Sequence, residues 1–289
     1  MTGTTEVLVR SDALEVTFLP HVGARIHRLR AFGQDILRTP DDPDAHRVDP
    51  FFWGAYPMAP WCNRATATRM RIAGRDLELT PNFPDGSAIH GLVATAPWTA
   101  RADGSFDLMR PADGAWPWTF AVRLVATLHG AELALGWAIT NLDDAPMPAG
   151  LGLHPWFRRP LELRVPGAAA YPSNVDSATE PRPVQGGTDL RSLATPASGL
   201  DGTWTALGQQ AIDLAWPALG VRARLQVHSS AGAPLVAVAT PAEIDAVAVE
   251  PQTHGPDPLR RLSAGEPDAP ILLAPGSDLR LELRMRLGR

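Results

Sequence analysis

Proline and glycine interrupt this chain along its whole length. No stretch between them sustains the 3.6-residue apolar period of an amphipathic helix. The 29 prolines and 25 glycines are spread over 289 residues rather than pooled, so the segments they leave are short and read with a period of two. That pattern predicts an all-β protein, a large antiparallel β-sandwich. Glu6 to Arg10 and Leu14 to Phe18 are expected to pair across Ser11-Asp12. Met70 to Leu79 should be two strands turning at Ala73-Gly74-Arg75, and Phe120 to Leu128 should fold back through His129-Gly130-Ala131 onto Glu132 to Thr140. The C-terminus reads similarly: Ile271 to Leu273, a turn at Pro275 to Asp278, then Leu279 to Leu287 with one wet face. With 45% hydrophobic residues, a single domain over 1–289 can bury a sizeable core. Thr39 to Pro50 and Pro172 to Gly202 read as loops, the second as a lid or rim rather than a boundary.

Composition narrows the function classes. The net charge is −5 and the pI near 5.9, and the arginines are scattered among acids, so neither nucleic acid nor an anionic membrane is an expected partner. Every one of the 26 basic residues is arginine, which removes Schiff-base chemistry and any lysine-dependent phosphate loop. The single cysteine, Cys62, fits a reducing compartment. Met1 to Arg10 has no basic leader with an apolar core, and no stretch reaches the ~18 apolar residues of a membrane helix. A cytoplasmic protein is the expectation.

Ile244 to Val249 reads as a buried strand that runs into Glu250. Because Pro251 lacks an N–H, sheet pairing is expected to fail there and leave the carboxylate at a strand end facing an opening. Glu250 is then a candidate catalytic base, or else an acid that caps a strand and meets solvent. Gly150-Leu151-Gly152-Leu153-His154-Pro155 repeats the design, a titratable residue before proline where a strand should stop; its glycines are not a dinucleotide fingerprint. Asn63-Arg64 follows an aromatic, proline-rich run from Phe51 to Trp61, a combination suited to a polyhydroxylated ligand or to core packing with an arginine reaching water. His90 before Gly91 is either structural or placed for close approach of backbone or ligand. A zinc site of His90, His154 and His254 has no helical or hairpin ligand spacing, and no Gly-x-Ser-x-Gly elbow supports a serine hydrolase.

Asn63-Arg64, Ile89-His90-Gly91, Leu153-His154-Pro155-Trp156-Phe157 and Val249-Glu250-Pro251-Gln252-Thr253, in that order and at those separations, resemble the aldose 1-epimerase (galactose mutarotase) family. The resemblance runs from about Asn63 to the C-terminal strand. It implies a β-supersandwich whose cleft binds an aldohexose. It makes Glu250 the catalytic base, His154 the general acid and His90 a second histidine that holds and polarises the sugar. Arg64, with Asn63 beside it, would bind sugar hydroxyls. A further hydroxyl-binding aspartate is most similar to Asp201, with Asp213 the competing assignment. Two departures, Ala65 where a branched residue is usual and Trp156 where tyrosine is commoner, imply a pocket shape of its own.

Anomer exchange needs one base to take the C1 hydroxyl proton and one acid to protonate the ring oxygen; rotation about C1–C2 and the reverse transfers complete it. No metal, cofactor or covalent nucleophile is expected. From reference values near ~4.3 and ~6.5, the acidic limb of the rate should report Glu250 and the basic limb His154. The alternatives are a mutarotase or epimerase of a phosphorylated hexose, suggested by Arg69, Arg71, Arg158 and Arg159, a non-catalytic carbohydrate-binding protein, and a glycosidase, which lacks a second acid.

Overall fold

The computed structural model describes residues 6–174 and 180–289. Residues 1–5 and positions 175–179 of the expected rim lie outside the described residues. Two large antiparallel sheets carry the fold. The first runs Val7–Arg10, Leu14–Leu19, Arg25–Ala31, Ala55–Met58, Gly152–Arg158, Ala246–Gln252, Leu235–Ala239, Asp201–Thr205, Ala169–Tyr171 and Arg182–Pro183, with Gln34–Asp35 pairing off the path. The second runs Thr99–Ala100, Ser105–Arg110, Phe120–His129, Glu132–Asn141, Asp278–Gly288, Val221–Ser229, Ile212–Trp216 and Glu162–Arg164.

The expected hairpins form, with Val9 opposite Val16, Met70 opposite Leu77 and Leu124 opposite Trp137. The C-terminal pair does not. Ile271–Leu273 pairs with Met147–Ala149, while Asp278–Gly288 lies between Glu132–Asn141 and Val221–Ser229. The turn between them docks on Asn141, whose carbonyl accepts from the Gly276 amide at 2.9 Å and whose own amide donates to the Ser277 carbonyl at 3.0 Å. A long alternating strand gains more from two full-length neighbours than from a three-residue one. Its Leu279, Leu281, Leu283, Met285 and Leu287 are buried and the intervening residues exposed, each leucine contributing roughly 1.5–3 kcal/mol. The expected loop from Thr39 to Pro50 contains one helical turn, Ala45–Val48, which buries His46.

The two central strands of the first sheet, Gly152–Arg158 and Ala246–Gln252, are buried on both faces except at Arg158. Leu153, Phe157, Val247 and Val249 join the main core. The opposite face carries His154, Trp156, Ala246, Ala248 and Glu250, and the two alanines keep that face low. Among the described residues no helix is long and apolar enough to cross a membrane.

Candidate active site

Glu250 does not end its strand, and neither does His154. Pairing with Leu235–Ala239 continues through Pro251 opposite Val236 and Gln252 opposite Leu235. The ladder that opens is the other one: Gly152 faces Gln252 and Trp156 faces Ala248, with no paired residues between. A residue in an antiparallel strand directs its N–H to one neighbour only, so Pro251 and Pro155 together interrupt one ladder and leave the sheet intact. Within the gap the register sets His154 opposite Glu250, and His154 Nε2 lies 3.2 Å from Glu250 Oε1. The prolines thus open the backbone beneath the pair without releasing either side chain to solvent.

Both groups are buried, His154 4% and Glu250 3% exposed. Burial pushes Glu250 up to about 8; the charge of Asp201 adds to this and Arg64 opposes it. Burial pushes His154 down to about 3, with Arg25 acting the same way. Desolvation therefore outweighs mutual attraction, and near neutrality the pair holds one proton, on the carboxyl. His154 Nδ1 and Glu250 Oε2 have no protein hydrogen-bond partner among the described residues.

His90 comes from a loop rather than a strand. Its ring meets His154 edge-on at 4.9 Å between centroids, and its Nδ1 accepts from the Asn63 amide at 3.3 Å while its own amide donates to the Asn63 carbonyl at 3.1 Å. An acceptor at Nδ1 leaves the proton of a neutral ring on Nε2. Burial and then His154 and Arg64 hold His90 well below the ordinary histidine range. Both His90 and Asn63 have positive φ, 61° and 58°, the strained backbone common at binding sites.

The glycine after His90 makes a close approach to backbone: a Cβ on Gly91 would lie 2.0 Å from the Ala59 carbonyl oxygen, at a φ of +74°. Gly91→Ala should cost about 1–3 kcal/mol, read as a lower urea midpoint; an unchanged midpoint would show that the two loops can separate freely.

Glu250, His154, His90 and Asn63 line a cleft of about 290 Å³. Arg64 Nε donates to Asp85 Oδ2 at 2.8 Å and Arg64 Nη1 lies 3.6 Å from Asp201 Oδ2. Asp201 also accepts from Asn174 Nδ2 at 2.8 Å. Asp213 is elsewhere, on the second sheet, paired with Arg164 at 3.0 Å and Arg224 at 2.9 Å. Asn63 is buried and its Nδ2 donates to Gln252 Oε1 at 3.1 Å. Phe52, Phe83 and Trp156 form an aromatic wall, with Phe52 6.4 Å from Phe83 and 6.0 Å from Trp156 between centroids. Gly199, Leu200 and Asp201 bring the end of the long loop to the cleft, as a rim.

Several expectations fall away from the cleft. His254 is fully buried, accepting at Nε2 from the Cys62 amide at 3.0 Å, so the three histidines do not converge. Among the described residues no group of three His, Cys, Asp or Glu side chains is arranged to hold a metal. Ala65 is buried opposite Ala88, and of the two departures only Trp156 lines the cleft. Arg69 and Arg71 pair with Glu78 and Asp76 on an exposed hairpin, and Arg158 and Arg159 are not among the lining residues. Asp85 and Asn174 complete the polar network around Arg64 and Asp201; Asp85 has a local signal, since Asp-Gly-Ser favours a turn whose carboxylate is turned back, whereas Asn174 has none.

Comparison with known proteins follows the same lines. The family model described as Aldose 1-epimerase matches residues 6–286. The Escherichia coli K12 protein YphB is 23% identical over 257 residues, 80% of this chain and 83% of that protein. Among solved structures, a galactose mutarotase-like protein from Clostridium acetobutylicum superposes with a TM-score of 0.83 at 14% identity, covering 98% of this chain and 95% of that one. The galactose 1-epimerase of Lactobacillus acidophilus does so with a TM-score of 0.74 at 16% identity, covering 98% and 94%.

Proposed function

The chain belongs to the aldose 1-epimerase family, and from that premise we propose that it interconverts the α and β anomers of a free aldohexose. The observation that carries this is the 3.2 Å contact of His154 Nε2 with Glu250 Oε1 on the floor of a cleft. Moving the pair's one proton along that contact gives the reactive form, carboxylate and imidazolium. Glu250 then takes the C1 hydroxyl proton as His154 donates to the ring oxygen, and the C1–O5 bond breaks to an open-chain aldehyde. Rotation about C1–C2 and the reverse transfers give the other anomer and restore both groups. His90 Nε2–H is placed to hold a sugar oxygen, Arg64 and Asp201 to bind hydroxyls, and the aromatic wall to take C–H faces.

The cleft also bears on substrate charge. Among the described residues Arg64 is the one arginine lining it, and Asp85 and Asp201 already engage that arginine. A phosphate dianion would meet acids without a free cation, which supports a free sugar over a phosphorylated one. NMR or polarimetry on freshly dissolved anomers should show accelerated exchange for at least one aldohexose and at least ~10-fold lower kcat/KM for glucose 6-phosphate, about 1.4 kcal/mol of discrimination. Preference for the phosphorylated sugar would overturn the substrate class, and no acceleration for any aldose would overturn the reaction.

A further inference from the structure

Four neighbouring strands of the first sheet contribute one residue each to a single cross-strand row. Ile26 opposite Ala55 sets Arg25 opposite Tyr56, Tyr56 lies opposite His154, and the register across the gap sets His154 opposite Glu250. Residues directly opposite share a face, so the row reads cation, aromatic plate, imidazole, carboxylate. The Arg25 guanidinium carbon is 5.2 Å from the Tyr56 ring centroid, and the Tyr56 ring stacks on His154 at 4.7 Å and 19°.

Arg25 is fully buried, a setting in which a charge ordinarily meets a carboxylate. Here it is held by three carbonyls, those of Val22 at 2.9 Å, Pro50 at 2.8 Å and Ala94 at 2.7 Å, and by His46 Nδ1 at 3.1 Å. His46 in turn meets His27 Nδ1 through Nε2 at 2.9 Å. Burial, then Arg25 and His27, hold His46 down to about 2, so it accepts from Arg25 as a neutral ring and cancels none of the charge.

We propose that Arg25 is a positioning residue for the proton exchange between His154 and Glu250: through the Tyr56 plate it fixes the plane of the imidazole, and its positive charge weakens the pair's hold on its proton. The assignment rests on the acid–base reading of that pair. The ionisable groups that face His154 are Glu250, Tyr56 and His90, with Arg64 and Asp201 across the cleft. Those facing Arg25 are Tyr56 and His46, with Asp49 farther off, and Glu250 and Cys62 also act on Tyr56. Two strand spacings separate Arg25 from His154, about 10 Å, and at an effective dielectric near ~20 one charge at that distance changes a proton midpoint by roughly one pH unit.

Two pairs of variants test this. His46→Glu sets a carboxylate against the guanidinium and cancels its charge in place, whereas His46→Gln keeps a neutral acceptor. Arg25→Gln removes the charge and Arg25→Lys keeps it. The readings are the basic limb of kcat/KM and the ¹⁵N shifts of the His154 ring over the same pH range. The charge-cancelled member of each pair should have its midpoint higher by about half to one pH unit, while His46→Gln and Arg25→Lys keep that of the wild type. Equal midpoints within either pair that folds would overturn the proposal, whatever happens to stability or kcat. Should the wild-type protein accelerate no aldose, the enzymatic reading fails, yet the ¹⁵N titration still decides the role of Arg25.

Discussion

Glu250→Gln is expected to reduce catalysed anomer exchange by about 10²–10⁴-fold while leaving a folded and more stable protein. Gln fits the strand position, since backbone pairing with Ala237 does not involve the side chain. The neutral amide also avoids the desolvation that makes an ionised Glu250 costly. The sign follows from the raised value, from 4.5 to about 8. The favourable contribution of a raised-pKa group is fully present below the unfolded value and is lost as pH rises through the folded one. The advantage of the glutamine variant should therefore grow between pH 4.5 and about 8 and level off above. Denaturant midpoints across that range, measured beside exchange rates, check both halves. Exchange at near wild-type rate would remove the carboxylate from the chemistry, and a stability difference independent of pH would show that Glu250 is ionised throughout.

His154→Asn should cost a similar factor of about 10²–10⁴ and also invert the pH dependence. In the wild-type protein the reactive form carries one proton on the pair, and that proton count persists between about 3, where His154 gains a second proton, and about 8, where the carboxyl loses the last one. The rate should be level across that window and fall outside it. This reverses the assignment read from reference values: the basic limb reports the carboxyl and the acidic limb the imidazole. Both limbs are macroscopic properties of the pair. Asparagine holds no proton, so the residual activity of the variant depends on ionised Glu250 alone and should rise with pH through the region where the wild-type rate falls. A variant whose profile still falls there would assign the acid to another group, His90 being the neighbour at 4.9 Å.

Local pattern was enough for most of the strands. The period-two runs of Leu14–Leu19, Phe120–His129 and Glu132–Asn141 and the turn residues between them are properties of adjacent residues, so their hairpins were legible. The four motifs carrying Arg64, His90, His154 and Glu250 were legible only together, through their resemblance to a family, and the fold brings all four residues to one cleft. Partner choice at a distance was not legible. Nothing in Ile271–Leu273 indicates that it pairs with Met147–Ala149, and nothing local separates Asp201 from Asp213, which the sheets send to the cleft and to an arginine pair on the far side. The prolines at 155 and 251 suggested strand ends, because a missing N–H is visible in sequence whereas the neighbour it would have faced is not.

An all-β chain without lysine chemistry could be read from the residues alone, and a candidate acid–base set from their resemblance to a family. Three things came from the fold: His154 and Glu250 stand directly opposite one another, burial pushes the carboxyl up and the imidazole down, and Arg25 lies at the end of their row. Cross-strand register and desolvation are sums over residues far apart in the chain, and no local stretch contains them.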